Sequence, residues 1–138
     1  MALLDHLGIS VLDIEHARRQ FHPVLTALGY SLGVDAPNGI SWDNGSETEI
    51  IIFEIRDDAE AVPHRHGEVG WQHLAFAVDS REEVDRLHGI AVEGGWTVVR
   101  EPKIYTRFND RYYASFVEDE SGIRIEFMHN PPRESTSA

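Results

Sequence analysis

The stretch "LLDHLGISV" at residues 3–11 is written again in outline 67 positions later, where "GWQHLAFAV" carries its histidine at the matching place. Each copy is a short apolar run that opens on an imidazole and continues Leu, small, apolar, small, Val. A buried imidazole without partners costs free energy, so two of them in equivalent positions need one shared explanation. An internal repeat of about 65 to 70 residues also limits the fold strongly. Each half must build the same supersecondary unit, and the two units must bury their apolar faces together.

The elements repeat in the same order. Residues 3–12 read as a strand, followed by a helix that Asp13 caps, with Ile14, Ala17, Phe21, Leu25 and Leu28 as its apolar stripe and Pro23 as a candidate kink. Three short strands follow in "YSLGV", "GISWD" and "TEIIIFEIR", separated by the turn-forming "DAPN" and "DNGSE". In the second half come the strand "WQHLAFAV" and a helix opened by Ser80 and Glu83 at capping-box spacing. That helix carries Val84, Leu87 and Ala91 inward and should stop at Gly94-Gly95. The strands "WTVVREP", "RYYASFVED" and "IRIEFMH" complete it, and "LGY" at 28–30 is echoed by "GGW" at 94–96. The expected organisation is a first module at 1–56, a polar linker at 57–70, a second module at 71–130 and a disordered tail at 131–138, within one compact α+β domain.

Strand alternation separates two faces. In the first strand Leu7, Ile9 and Val11 oppose His6, Gly8 and Ser10; in its repeat Leu74, Phe76 and Val78 oppose His73, Ala75 and Ala77. If the greasier faces pack under the helices, both histidines look across a floor of small residues. Alternation in the last strand adds Glu126 to that side, flanked by Arg124 and Met128. Two histidines and a carboxylate have the composition of a 2-His-1-carboxylate metal site, a donor set that leaves coordination positions free for substrate.

Bulk properties exclude other classes. The chain has no cysteine, so any metal must use His, Asp and Glu, and disulfides are absent. A formal charge of −12 argues against a nucleic-acid partner, which needs clustered Lys and Arg. No run approaches the roughly 18 apolar residues of a membrane span, and Asp5 comes too early for a signal-peptide core. The expectation is a cytoplasmic protein with no membrane partner.

The two βαβββ modules, "DHLGISV" and "QHLAFAV" with their histidines, and "DESGIRIEF" with its glutamate resemble the vicinal oxygen chelate superfamily over residues 3 to 130. That superfamily includes glyoxalase I, extradiol dioxygenases, fosfomycin-resistance enzymes and bleomycin-binding proteins. The resemblance implies tandem modules whose mixed sheets half-close around a metal cavity, with His6, His73 and Glu126 as ligands. The ion would be one divalent metal, Fe, Mn, Ni, Zn or Co. Glyoxalase-type members place a glutamate late in the fourth strand, which makes Glu54 a candidate fourth ligand and catalytic carboxylate beside Glu126, with Glu49 as the other carboxylate in that strand. Members also pair modules within one chain or across two, and a homodimer is expected here.

The reading of function is a metal-dependent isomerase or lyase of glyoxalase type, in which the ion polarises a small oxygen-rich substrate and Glu54 or Glu126 moves a proton. A ring-cleaving dioxygenase and a non-catalytic drug-binding protein are the alternatives, and the state of Glu54 separates the first two. Arg111, Tyr113, Trp71 and Arg124 are the expected substrate contacts, with Arg107 and Tyr112 as further candidates for an anionic or phenolic group. His64 and His66 in "PHRHGE" form a His-x-His pair expected to be solvated.

Overall fold

A computed structural model describes residues 1–45 and 48–134, so the last part of the expected tail, 135–138, lies outside the described residues. The first module consists of β1 (His6–Val11), α1 (Ile14–Ala27), β2 (Ser31–Ala36), β3 (Gly39–Asp43) and β4 (Glu49–Glu54). The second consists of β5 (Leu74–Ala77), α2 (Arg81–Glu93), β6 (Thr97–Ile104), β7 (Tyr113–Glu118) and β8 (Arg124–His129). Each module makes a four-stranded mixed sheet, ordered β1-β4-β3-β2 and β5-β8-β7-β6. In both, the first strand lies at the sheet edge and pairs in parallel with the last strand of its module.

Local chemistry sets the helix ends. Asp13 accepts from the His16 amide at 2.8 Å, and Ser80 Oγ accepts from the Glu83 amide at 3.1 Å. The Glu83 carboxylate does not close the expected capping box and pairs with Arg86 instead. α1 runs through Pro23 as one helix. The two helices end at equivalent positions, Gly29 with φ +95° and Gly95 with φ +90°, which is the structural content of the "LGY" and "GGW" echo.

The greasier strand faces meet the helices in one core shared by both modules. Ile9, Val11, Ile50 and Ile52 from the first sheet join Phe21 and Leu25 of α1, Leu87 of α2, and Ile125 and Phe127 of the second sheet. Burying each such side chain contributes about 1.5–3 kcal/mol. Polar groups in the seam are paired. Gln20 Nε2 donates to the Gly95 carbonyl at 3.1 Å, and the Trp96 indole donates to the Gln20 carbonyl at 2.9 Å while its ring meets Phe21 edge-on. Because the shared core takes these faces, the faces bearing His6 and Glu126 look away from it.

The linker has no regular element but is held down. The His64 amide donates to the Ser121 carbonyl at 2.9 Å, and its Nε2 meets the Trp71 carbonyl at 2.6 Å. This approach requires glycine at 122, where φ is +79° and a Cβ would stand 1.9 Å from the His64 carbonyl oxygen. Among the described residues no helix is long and apolar enough to cross a membrane.

Candidate metal and substrate site

β8 and the residue preceding β5 build the centre of the site. Register pairs Ala75 with Glu126, so His73 stands two residues before the carboxylate's partner and on its face. Glu126 is only 2% exposed, with Oε1 3.1 Å from His73 Nε2 and Oε2 accepting from the Tyr112 hydroxyl at 2.5 Å. Tyr112 precedes β7 and shares the side of Ala114 and Phe116, where Tyr105, Ala114 and Phe116 form a small second apolar cluster. Burial, and then the bond to Glu126, pushes the Tyr112 phenol above its ordinary pKa, which keeps it a hydrogen-bond donor.

The two repeated histidines are oriented by the same device. His73 Nδ1 bonds Gln72 Oε1, and His6 Nδ1 lies 2.8 Å from Asp5 Oδ1. In each case the preceding side chain engages one ring nitrogen and leaves Nε2 for another partner, as supporting groups do for metal-binding imidazoles. The rings differ in setting. His73 is exposed but partly covered, its side chain 35% accessible beside the buried Glu126, whereas the His6 side chain is 58% exposed on the edge of the other sheet. Among the described residues no three His, Asp or Glu side chains come close enough together to hold an ion.

The pair formed by His73 and Glu126 fits a metal. Two donors at right angles around an ion with bonds of about 2.1 Å stand roughly 3.0 Å apart, close to the separation seen here. The buried carboxylate has a phenol and an imidazole against it, while the neighbouring Arg124 is taken by Glu118, with Nε 2.7 Å and Nη2 2.5 Å from the same oxygen. The two Glu126 oxygens have their partners in the Tyr112 hydroxyl and the His73 imidazole. Beside it opens a cavity of about 280 Å³ lined by His66, His73, Arg100, Arg107, Phe108 and Phe116 among others. A larger cavity of about 490 Å³, between Leu28 and Phe76, contains neither His73 nor Glu126 in its lining.

Residues 3–127 match the Glyoxalase/Bleomycin resistance protein/Dioxygenase superfamily. The chain belongs to that superfamily. It is 27% identical over 125 residues to the uncharacterized protein YqjT of Bacillus subtilis (strain 168), covering 91% of this chain and 97% of that protein. Its fold matches a crystal structure from Bacillus halodurans described as a "putative glyoxalase", with TM-score 0.82, 26% identity and coverage of 94% and 96% of the two chains. A glyoxalase/bleomycin resistance protein from Albidiferax ferrireducens T118 shares the fold with TM-score 0.75 at 23% identity, over 91% and 98% of the chains.

The structure places the other candidate residues as follows. Glu54 does not stand with His6. Register pairs it with Val11, on the core face of β4, and its Oε2 accepts from the Ile14 amide at 3.1 Å at the start of α1. Its charge serves the helix N-terminus. Glu49 pairs with His6 itself and is the carboxylate on that face. Tyr113 points to the helix side, its hydroxyl on Asp85 of α2 at 2.6 Å, which with burial pushes its phenol pKa up to about 12. Trp71 is a strut whose indole donates to the Arg124 carbonyl at 2.9 Å. Arg111 is tied to Asp110 and the Pro131 carbonyl rather than to the cavity. Arg124 does line the cavity.

The His-x-His pair also divides. His64 pins the linker, and His66 lines the cavity beside Gln72. Sequence reasoning missed Arg100, Tyr105, Phe108 and Phe116. Alternation alone would have found Phe116, which pairs with Glu126 in register, because it shares the parity of Tyr112.

Proposed function

We propose that this chain is a divalent-metal enzyme using His6, His73 and Glu126, that its site forms between the first module of one copy and the second module of another, and that it acts on a small molecule chelating through two adjacent oxygens. One observation carries the choice of three protein donors over four. Two residues after His73, register sets Ala75 against Glu126; two residues after His6, it sets Gly8 against Ile51. The first module thus has isoleucine where the second has its carboxylate, Glu54 is engaged at α1, and the carboxylate on the His6 face, Glu49, stands directly opposite His6 and not at the position equivalent to Glu126.

Three protein donors leave three positions, which favours ferrous iron and ring-cleaving dioxygenation over the isomerase or lyase reading that needed Glu54. An ion held there would polarise the chelated oxygens and leave a position for a second reactant. The chain's own groups have separate tasks. Gln72 fixes the His73 ring, Tyr112 holds Glu126, and the aromatic side chains and His66 line the space for the substrate. The two-copy assembly is supported by the outward faces of both sheets, and by His6 lying, among the described residues, outside any three-donor cluster.

Metal analysis of untagged protein tests the reading. The expected result is one transition ion per chain, lost in His73→Ala together with its metal-dependent thermal stabilisation, and oxygen uptake by the ferrous form with catechol-type compounds. Unchanged metal content in His73→Ala would sink the ligand assignment. No oxygen uptake with the ion in place would return the isomerase reading, and an ion-free protein would point to a drug-binding role.

A further inference from the structure

We propose that Arg100 and Arg107 form an anion-binding end of the cavity beside His73, so that the substrate is a small oxyanion, a carboxylate or a phosphate, carried on a flat apolar skeleton. The inference shares the site proposed above and rests on that reading only for what happens at the His73 end.

Charge is the first observation. The chain has 24 acidic and 12 basic residues, yet three of the basic ones, Arg100, Arg107 and Arg124, line this single cavity and no Asp or Glu does. Elsewhere the acidic surface captures arginines, as with Arg18, Arg56, Arg65, Arg86 and Arg111. Arg124 is likewise held by Glu118. Among the described residues, Arg100 and Arg107 have ring contacts in place of an ion pair. The Arg100 guanidinium lies over Tyr105 and Phe116 at 5.7 and 5.9 Å, and that of Arg107 over Phe108 at 5.1 Å.

Stacking is the second observation. A guanidinium laid on a ring is held by its face, which leaves its edge donors free to meet an oxyanion in the fork geometry that suits carboxylate and phosphate. The same rings form flat apolar walls, and Phe116 continues them to the His73 end, with its centroid 5.8 Å from that of His73. A volume of about 280 Å³ is at the low end for ligand pockets, so the molecule is small. Its anionic group would lie against the two arginines and its opposite end at His73.

Binding to the chelator-treated full chain tests this without the metal. The probes are benzoate, phenyl phosphate and the neutral benzyl alcohol. Benzoate or phenyl phosphate should bind at least about tenfold tighter than benzyl alcohol, and whichever is tighter identifies the oxyanion. Raising salt from about 50 to about 500 mM should weaken only the anions. Arg100→Gln and Arg107→Gln alter exposed side chains, so the fold should persist by circular dichroism. Each should weaken anion binding on the order of tenfold and spare benzyl alcohol, while the lysine variants should recover part of the loss. Equal affinity for charged and neutral probes, or anion binding unchanged in the double glutamine variant, would overturn the proposal. Either result leaves the metal reading intact, and absence of metal binding would leave the anion result standing.

Discussion

The hydroxyl of Tyr112 donates to Oε2 of Glu126 over 2.5 Å, so that buried carboxylate has one oxygen fixed and the other turned to His73, which lines the cavity. Tyr112→Phe removes the phenolic donor to Oε2 and leaves that buried oxygen without it, which costs about 1–3 kcal/mol. Metal affinity should fall about 10–100-fold, as it does when groups supporting a ligand are lost. Metal titration and denaturant unfolding of the variant measure the two effects separately. An unchanged affinity would show that Tyr112 supports the fold alone.

Glu54→Gln should act on the helix and not on the ion. The amide can still accept from Ile14 but carries no charge for the α1 N-terminus, so the expected loss is about 0.3–1 kcal/mol with full metal content. Depletion of metal in this variant would restore the four-donor arrangement.

Asp119 gives a pH signature. Burial pushes its carboxyl up to about 6 from 3.8, against the pull of the Ser121 and Ile123 amides that its Oδ1 accepts at 2.9 and 2.7 Å. The folded state therefore holds the proton more tightly than the unfolded chain. This contribution is fully present below about pH 4, is lost as pH rises through about 6, and then stays flat. Its total is at most about 3 kcal/mol. Asp119→Asn keeps the acceptor and removes the titration, so the variant should gain on the parent protein between pH 4 and 7. Denaturant midpoints of both proteins across that range would show the gap widening; a constant gap would contradict it.

Mixing two inactive variants tests the two-copy site. In a mixed dimer of His6→Ala and His73→Ala chains, one site loses both imidazoles and the other keeps both. After statistical exchange of equal amounts half of the dimers are mixed, so metal binding should return to about a quarter of the parent level. No recovery, with exchange verified by mass, would assign His6 and His73 to one chain's own site.

Much of this architecture was readable because its signals are local and repeated. Caps at Asp13 and Ser80, glycines after each helix and period-two alternation in β1 and β8 all report backbone geometry that neighbouring residues set. The same alternation put Glu126 beside His73. It did not reveal where Glu54 goes, because that depends on how the end of β4 meets the start of α1, a contact between residues 40 positions apart. Tyr112 and Tyr113 show the limit most clearly. Adjacent in sequence and alike in chemistry, they point to opposite faces, and the strand's phase at its first residue decides which one meets Glu126 and which meets Asp85. The arginines over the aromatic rings were hidden for a similar reason, since Arg100 reaches Phe116 only through the pairing of β6 with β7.

Isoleucine at 51, opposite Gly8, breaks the twofold relation between the halves at the place where it matters to a bound molecule. Two identical halves around one ion would present a chelating substrate with the same surroundings at both of its oxygens. Here one oxygen would have Glu126 as its neighbour and the other Ile51, with Glu49 opposite His6 and Phe53 across Gly8 and Gly39 at 3.8 and 3.6 Å from their would-be Cβ atoms. An unsymmetrical substrate would therefore bind one way round, and the product would be a single regioisomer.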